Sequence, residues 1–261
     1  MIGVFDSGIG GLTVVKALQK QLPGYDILYF GDTARTPYGN KSPATVIEYA
    51  LEDTHFLLER GAKMVVMACN TASSVAPAPV AGRYDIALFE VIAPAVAMAL
   101  KHSGTGRIGV IGTRATVSSG NYEKLITGLN PEARVYSAAC PLLVPLVEEG
   151  WLKRPETAMI VKKYLHPLKV RRIDTLILGC THYPLLLPVI QRKIGKRVRI
   201  IDSSVSVAAE VKRYLDEKPD LDDRLGKNGR IRIYVSDITP QFEKIARATL
   251  KRKVRLEAAK L

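Results

Sequence analysis

Cysteine is sparse in this sequence. Its three residues, at positions 69, 140 and 180, form neither a CxxC pair nor an even set. That argues against a disulfide framework and for a reducing compartment. No apolar run reaches the roughly 18 to 20 residues that span a bilayer, so a membrane protein is not expected. Met1-Ile2-Gly3-Val4-Phe5-Asp6 offers no basic segment ahead of an apolar one, which a secretory signal peptide requires. A cytoplasmic protein is the expectation. Asn and Gln are scarce beside 38 Lys and Arg, a balance also expected of heat-adapted proteins.

What is present is the composition of an ordinary globular chain, with 261 residues, 47% hydrophobic and 24% charged. That length builds one large domain or two small ones, each with its own core. A net charge of +13 suits an anionic substrate or a nucleic acid. The basic residues are dispersed, however, apart from Arg192-Lys193, Lys196-Arg197, Arg199 and Lys251-Arg252-Lys253. A solvated surface is the simpler reading, and a nucleic-acid partner is not expected.

Short β-branched runs at 2–5, 27–30, 64–68, 86–91, 108–111, 134–138, 175–178 and 198–201 read as strands. Helical patterns lie between and after them at 12–21, 43–60, 94–101, 119–129, 155–166 and 206–217. Strand then helix, repeated, with near-continuous apolar strands, predicts an α/β protein with parallel sheets covered on both faces. The chain also resembles itself. Ile2-Gly3-Val4 and Ile108-Gly109-Val110 each open a strand, and each is followed, 67 and 72 residues on, by an apolar strand ending in a cysteine. The second members read Val65-Val66-Met67-Ala68-Cys69-Asn70-Thr71 and Leu176-Ile177-Leu178-Gly179-Cys180-Thr181-His182. Two similar parallel-sheet domains related by a pseudo-twofold axis follow, with a cleft between them. The expected division is 1–94 plus 206–261, carrying Cys69, and 95–205, carrying Cys180, with C-terminal helices packing back on the first half.

In an open parallel sheet, ligands bind beyond the carboxyl ends of the strands. Cys69 and Cys180 both fall there, each at the start of a following helix whose dipole favours a thiolate. If the halves face each other, two thiols approach one substrate from opposite sides. Inverting a stereocentre needs that arrangement, since a proton leaves one face of the carbon and another arrives at the opposite face. Core packing is the alternative for each cysteine taken singly, but the duplicated position with polar neighbours speaks for chemistry. Cys140, between Ala139 and Pro141, reads as core.

Four segments resemble the glutamate racemases of the aspartate/glutamate racemase superfamily. They are Asp6-Ser7-Gly8-Ile9-Gly10-Gly11, Gly31-Asp32-Thr33-Ala34-Arg35-Thr36-Pro37-Tyr38-Gly39, Ala68-Cys69-Asn70-Thr71-Ala72-Ser73 and Gly179-Cys180-Thr181-His182-Tyr183-Pro184. The resemblance spans residues 1 to about 217. It implies Cys69 and Cys180 as the acid–base pair, with Asp6 assisting Cys69, and His182 and Glu148 assisting Cys180. It further implies substrate contacts from Asp6, Ser7, Tyr38, Gly39, Asn70, Thr71, Thr181 and His182, no metal or pyridoxal phosphate, a homodimer, and D-glutamate made for peptidoglycan. On the residues alone, blander readings stay open: a tight turn at Ser7 and its glycines, a structural turn at Pro37-Tyr38-Gly39, a packed His182, and a solvated helix end at Glu148. Pro77 and Pro79 should interrupt the helix after Cys69. The competing functions are racemisation of aspartate, a hydantoin or another small acid, a dithiol redox role, and a basic nucleic-acid module.

Overall fold

A computed structural model describes residues 1–259. The strands are β1 (Ile2–Asp6), β2 (Ile27–Gly31), β3 (Met64–Met67), β4 (Ala87–Glu90), β5 (Arg107–Gly112), β6 (Arg134–Ala139), β7 (Thr175–Gly179), β8 (Arg199–Asp202), β9 (Ile231–Val235) and β10 (Leu256–Ala258). They build two sheets, ordered β10-β9-β2-β1-β3-β4 and β6-β5-β7-β8. Every pairing is parallel. The run β2-β1-β3-β4 and the whole second sheet share one order, with the first strand of the repeat between its second and third. The internal resemblance is therefore topological as well as local. Among the described residues no helix is long and apolar enough to cross a membrane.

Period-two alternation decides what each face buries. Ile2 and Val4 of β1 face a core shared with Ile27, Met64 and Val66. Helix Leu12–Gln21 closes it with Leu12, Val14, Val15 and Leu18, and helix Ser203–Glu217 adds Val207, Ala208, Val211 and Leu215. Phe5 points the other way, into a core with Leu28, Phe30, Val65 and Met67. Helix Pro43–Glu59 covers that face through Val46, Ala50, Phe56 and Leu57. Its start is fixed by Pro43 in the first turn and by the Ser42 hydroxyl, which accepts from the Thr45 N–H at 3.3 Å. The second sheet is covered in the same way. Ile111, Leu176 and Leu178 pack with Val161, Leu165 and Leu168 of helix Pro155–Val170. Ile108, Val110 and Ile177 pack with Ile92, Ala95, Val96 and Ala99 of helix Ile92–His102. Each such fully buried aliphatic side chain contributes about 1.5–3 kcal/mol.

Three differences from the sequence reading, and one agreement, have physical causes. The pattern at 119–129 begins only at Asn121, because Gly120 sits in the left-handed region at φ 65° and separates helix Asn121–Leu129 from Arg114–Ser118. The helix expected to stop at 166 continues through Pro167 to Val170, held by buried Leu165 and Leu168. After Cys69 the helix is broken, as its prolines predict: Asn70–Ser73 ends, and a second helix starts with Pro77 in its first turn. The C-terminal segment brings strands as well as a helix, Pro240–Leu250, since β9 and β10 extend the first sheet beyond β2.

Candidate active site

The carboxyl ends of β1, β3, β5 and β7 meet. Asp6 ends β1, Cys69 caps the short helix after β3, and Cys180 follows β7. The Cys69 thiol lies 3.6 Å from the Ser7 hydroxyl. Cys180 Sγ lies 3.7 Å from His182 Nδ1, and His182 Nε2 lies 3.3 Å from Glu148 Oε1, at ion-pair distance but off the line of a straight hydrogen bond. All three links are loose, as catalytic contacts often are before substrate tightens them.

Asp6 joins the two sheets. Its Oδ2 accepts the N–H groups of Gly8 at 3.1 Å and Gly11 at 2.9 Å, and its Oδ1 accepts the Thr181 hydroxyl at 3.2 Å. A counterpart lies on the other side of the gap. Thr113, just past β5, shares a 3.0 Å hydrogen bond with Thr71, two residues after Cys69. Each cysteine loop thus rests on the first-strand loop of the opposite repeat, which is the pseudo-twofold relation written in side chains. Asn70 completes the seam. Its Oδ1 accepts the Tyr122 hydroxyl at 2.7 Å, and its Nδ2 donates to Ser203 Oγ at 3.4 Å.

The electrostatics differ between the two thiols' surroundings. Burial pushes the Cys69 thiol up to about 12, and the Asp6 carboxylate and Cys180 add to the rise against contacts from the Ala72 N–H and Ser7. The sequence reading expected the helix dipole to lower it toward neutrality. A four-residue helix has too little dipole to offset desolvation and a neighbouring carboxylate. Burial opposes charge on His182, but its contacts with Cys180 and Glu148 prevail and hold it well above the usual imidazole value. Burial likewise raises Asp6, against the charge of His182, the Gly11 and Gly8 N–H groups and the Thr181 hydroxyl. The site therefore carries a protonated thiol on the Asp6 side and an imidazolium on the Cys180 side. Cys140 is fully buried and its Sγ faces the Ala138 carbonyl at 3.5 Å.

A family model described as Asp/Glu/Hydantoin racemase matches residues 2–211. The chain belongs to this racemase family. It is similar to a glutamate racemase of Persephonella marina, at 46% identity over 260 residues that cover 100% of this chain and 97% of the relative. In structure it is similar to glutamate racemase isoform RacE1 of Bacillus anthracis, with a TM-score of 0.94 at 38% identity, covering 100% of this chain and 97% of the other. It also resembles the glutamate racemase of Francisella tularensis in complex with D-glutamate, with a TM-score of 0.90 at 38% identity, covering 99% and 97%.

Within this racemase, ten of the eleven sequence-predicted site residues have polar or reactive side chains, and all ten are buried or half-buried. Tyr38 is set apart by its partners. Its phenol is fully buried and bonded to Asp32 at 2.5 Å and Asp53 at 2.9 Å, so the hydroxyl is already engaged. Gly39 lies against Thr113, where an added Cβ would fall 2.6 Å from the threonine Cβ. Sequence reasoning missed Thr113 and Thr116, which with Thr71 form a three-hydroxyl cluster at 3.0 to 3.3 Å. The signal was available, because Gly112-Thr113 ends β5 as Asp6-Ser7 ends β1.

The two repeats also approach closely at Gly10. A Cβ there would meet Thr181 Oγ1 and fall 2.5 Å from His182 Nδ1. Gly10→Ala should displace the 180–182 loop, costing about 1–3 kcal/mol. Turnover should fall about 10²-fold, since misplacing a reacting group by about an ångström has that effect. Steady-state kinetics beside a thermal melt would check both, and unchanged turnover would show that the loop is free to retreat.

Proposed function

We propose that the chain is a glutamate racemase in which Cys69 and Cys180 act on opposite faces of the substrate α-carbon. The observation that carries this reading is the reciprocal docking of the two cysteine loops, Asp6 to Thr181 and Thr71 to Thr113. Full-length similarity to proteins named glutamate racemase, one of them holding D-glutamate, supports the substrate.

In one direction a thiolate at Cys69 takes the α-proton, breaking C–H and forming S–H, while the Cys180 thiol delivers its proton to the other face. In the reverse direction the roles exchange. The free enzyme holds Cys69 as a thiol, and the substrate's α-ammonium changes that balance. A cation placed beside Asp6 and Cys69 offsets the carboxylate and favours the thiolate. On the other side, the His182 ring stands 3.7 Å from the Cys180 sulfur, and Glu148 orients the ring and favours its charged form. Ser7, Asn70, Thr71 and Thr181, with the backbone of Tyr38 and Gly39, surround the substrate's polar groups. The reading includes a cytoplasmic homodimer supplying D-glutamate for peptidoglycan, as the family resemblance implies.

Incubating the protein with L-glutamate in deuterium oxide, without added cofactor, should give D-glutamate carrying deuterium at the α-carbon. L-glutamate recovered early in the reaction should carry little, because the acceptor and the donor are different thiols. A protein that leaves both rotation and isotope unchanged is not a glutamate racemase.

A further inference from the structure

Beyond the cysteine loops lies a buried cluster that this chemistry does not use. Asp32, just past β2, and Asp53, on helix Pro43–Glu59, are both fully buried with the Tyr38 hydroxyl between them. The phenol is 2.5 Å from Asp32 Oδ2 and 2.9 Å from Asp53 Oδ2. A phenol has one hydrogen, so it donates to only one of the two carboxyl groups. The other contact needs a proton on the carboxyl side. Asp32 already accepts from Arg35 Nε at 2.5 Å on Oδ2 and from the Ser236 hydroxyl at 2.9 Å on Oδ1. Asp53 Oδ2 has Tyr38 as its contact, while its Oδ1 faces Arg35 at 3.3 Å. Hydrogen bonding therefore runs in one direction, from Asp53 to Tyr38 to Asp32.

We infer that Asp53 is a neutral carboxylic acid that donates its proton to Tyr38, and that it is a positioning residue which holds the Pro37–Gly39 backbone at the substrate gap. The inference rests on the reading of Tyr38-Gly39 as a substrate contact. The path from Asp53 to the gap is short: Tyr38 precedes Gly39, Gly39 packs on Thr113, and Thr113 bonds Thr71 beside Cys69. The groups that face Asp53 agree with a neutral form. Burial raises it well above the usual carboxylate value, Asp32 and Glu52 add to the rise, and Tyr38 and Arg35 oppose it. Tyr29 also lies within its field, and Arg35 divides its charge among Asp32, Asp53 and Glu52 while stacking 3.9 Å over the Tyr49 ring.

The test is an asymmetry between two chemically identical changes. In Asp53→Asn the amide still donates to Tyr38 and its oxygen still accepts from Arg35, so kcat and KM for glutamate should stay within about twofold of wild type. In Asp32→Asn an N–H replaces an oxygen that accepts from Arg35 and Tyr38 or from Ser236. That should raise KM about tenfold with a smaller change in kcat, as expected when contacts to the bound substrate are lost throughout. Thermal unfolding gives an independent reading. A carboxyl that stays protonated when folded but ionises when unfolded costs stability as pH rises above about 4, up to its folded value. The melting temperature of Asp53→Asn should therefore exceed that of wild type by a margin that widens over this range. Equal damage from the two substitutions, or a margin that narrows with pH, overturns the inference. If Asp32→Asn does not fold, the activity and melting series of Asp53→Asn decide alone. Loss of the inference leaves wild-type deuterium exchange intact, whereas failure of the racemase reading abolishes that exchange in every variant.

Discussion

Cys69→Ala is expected to lower racemisation of glutamate by about 10²–10⁴-fold, the range that one positioned acid–base group contributes. Cys180→Ala should cost as much. Free L- and D-glutamate have equal energy in water, so kcat/KM must fall by the same factor in both directions, whichever thiol is lost. Isotope exchange is not bound by that equality. With Cys69 removed, Cys180 still faces one side of the α-carbon, and only the enantiomer presenting its hydrogen there should exchange with deuterium. With Cys180 removed, the opposite enantiomer should exchange. Cys140→Ala is the control, since Cys140 is buried in the second repeat's core with its sulfur on the Ala138 carbonyl. It should leave exchange of both enantiomers intact. The assay is proton NMR of each pure enantiomer in deuterium oxide with each variant. If either single-cysteine variant exchanged both enantiomers at the wild-type rate, the two-base reading would be wrong.

Sequence reasoning reached the cysteines because their surroundings are duplicated, and duplication is visible to pattern comparison even where identity is low. The eight strands of the two repeats were legible for a related reason: they are largely apolar runs bounded by turns, and in a parallel sheet covered on both faces polar side chains are mostly confined to strand ends and the edge strand β6. Asp6 is the residue at which β1 stops being apolar, and that is where the site begins. What stayed hidden has equally specific causes. Arg232 breaks the apolar run of β9, and β10 has only three residues, too few for any period to register. The pairing of β9 with β2, on which β10 is then added, depends on contacts far along the chain, including Asp26 accepting from Asn228 and Arg230. The Asp32–Tyr38–Asp53 cluster was invisible for the same reason, because a surface aspartate and a buried protonated one are the same letter. The helix-dipole argument failed at Cys69 through a missing quantity. Sequence placed the residue at a helix start but did not reveal how little water would reach it.

Asp6 gives the second large effect, and two substitutions separate its roles. Asp6→Ala leaves the Gly8 and Gly11 N–H groups and the Thr181 hydroxyl without their shared acceptor. Buried donors left unpaired cost about 1–3 kcal/mol each before relaxation, so a net destabilisation of about 2–4 kcal/mol is expected. Asp6→Asn keeps the shape. Its amide oxygen still accepts from the two glycines, and its NH₂ meets a Thr181 hydroxyl that rotates to accept. Stability should then stay close to wild type, while kcat falls by about 10²–10³-fold, because the carboxylate that holds the substrate ammonium beside Cys69 is gone. The pH dependence has a definite sign. Burial outweighs the contacts that favour ionisation, so folded Asp6 keeps its proton to a higher pH than the unfolded chain does. Its contribution to stability is complete below the unfolded carboxyl value near 3.9, and it declines as pH rises through the folded value. Asp6→Asn has no such titration, so wild type should lose stability relative to it over that window. Denaturant melts at several pH values, paired with turnover, read both effects. An Asp6→Asn enzyme with full turnover would reduce Asp6 to a cap on the Gly8–Gly11 turn. Cys69 would then have to be activated by the substrate's own ammonium, with Ser7 as its remaining hydrogen-bonding side chain.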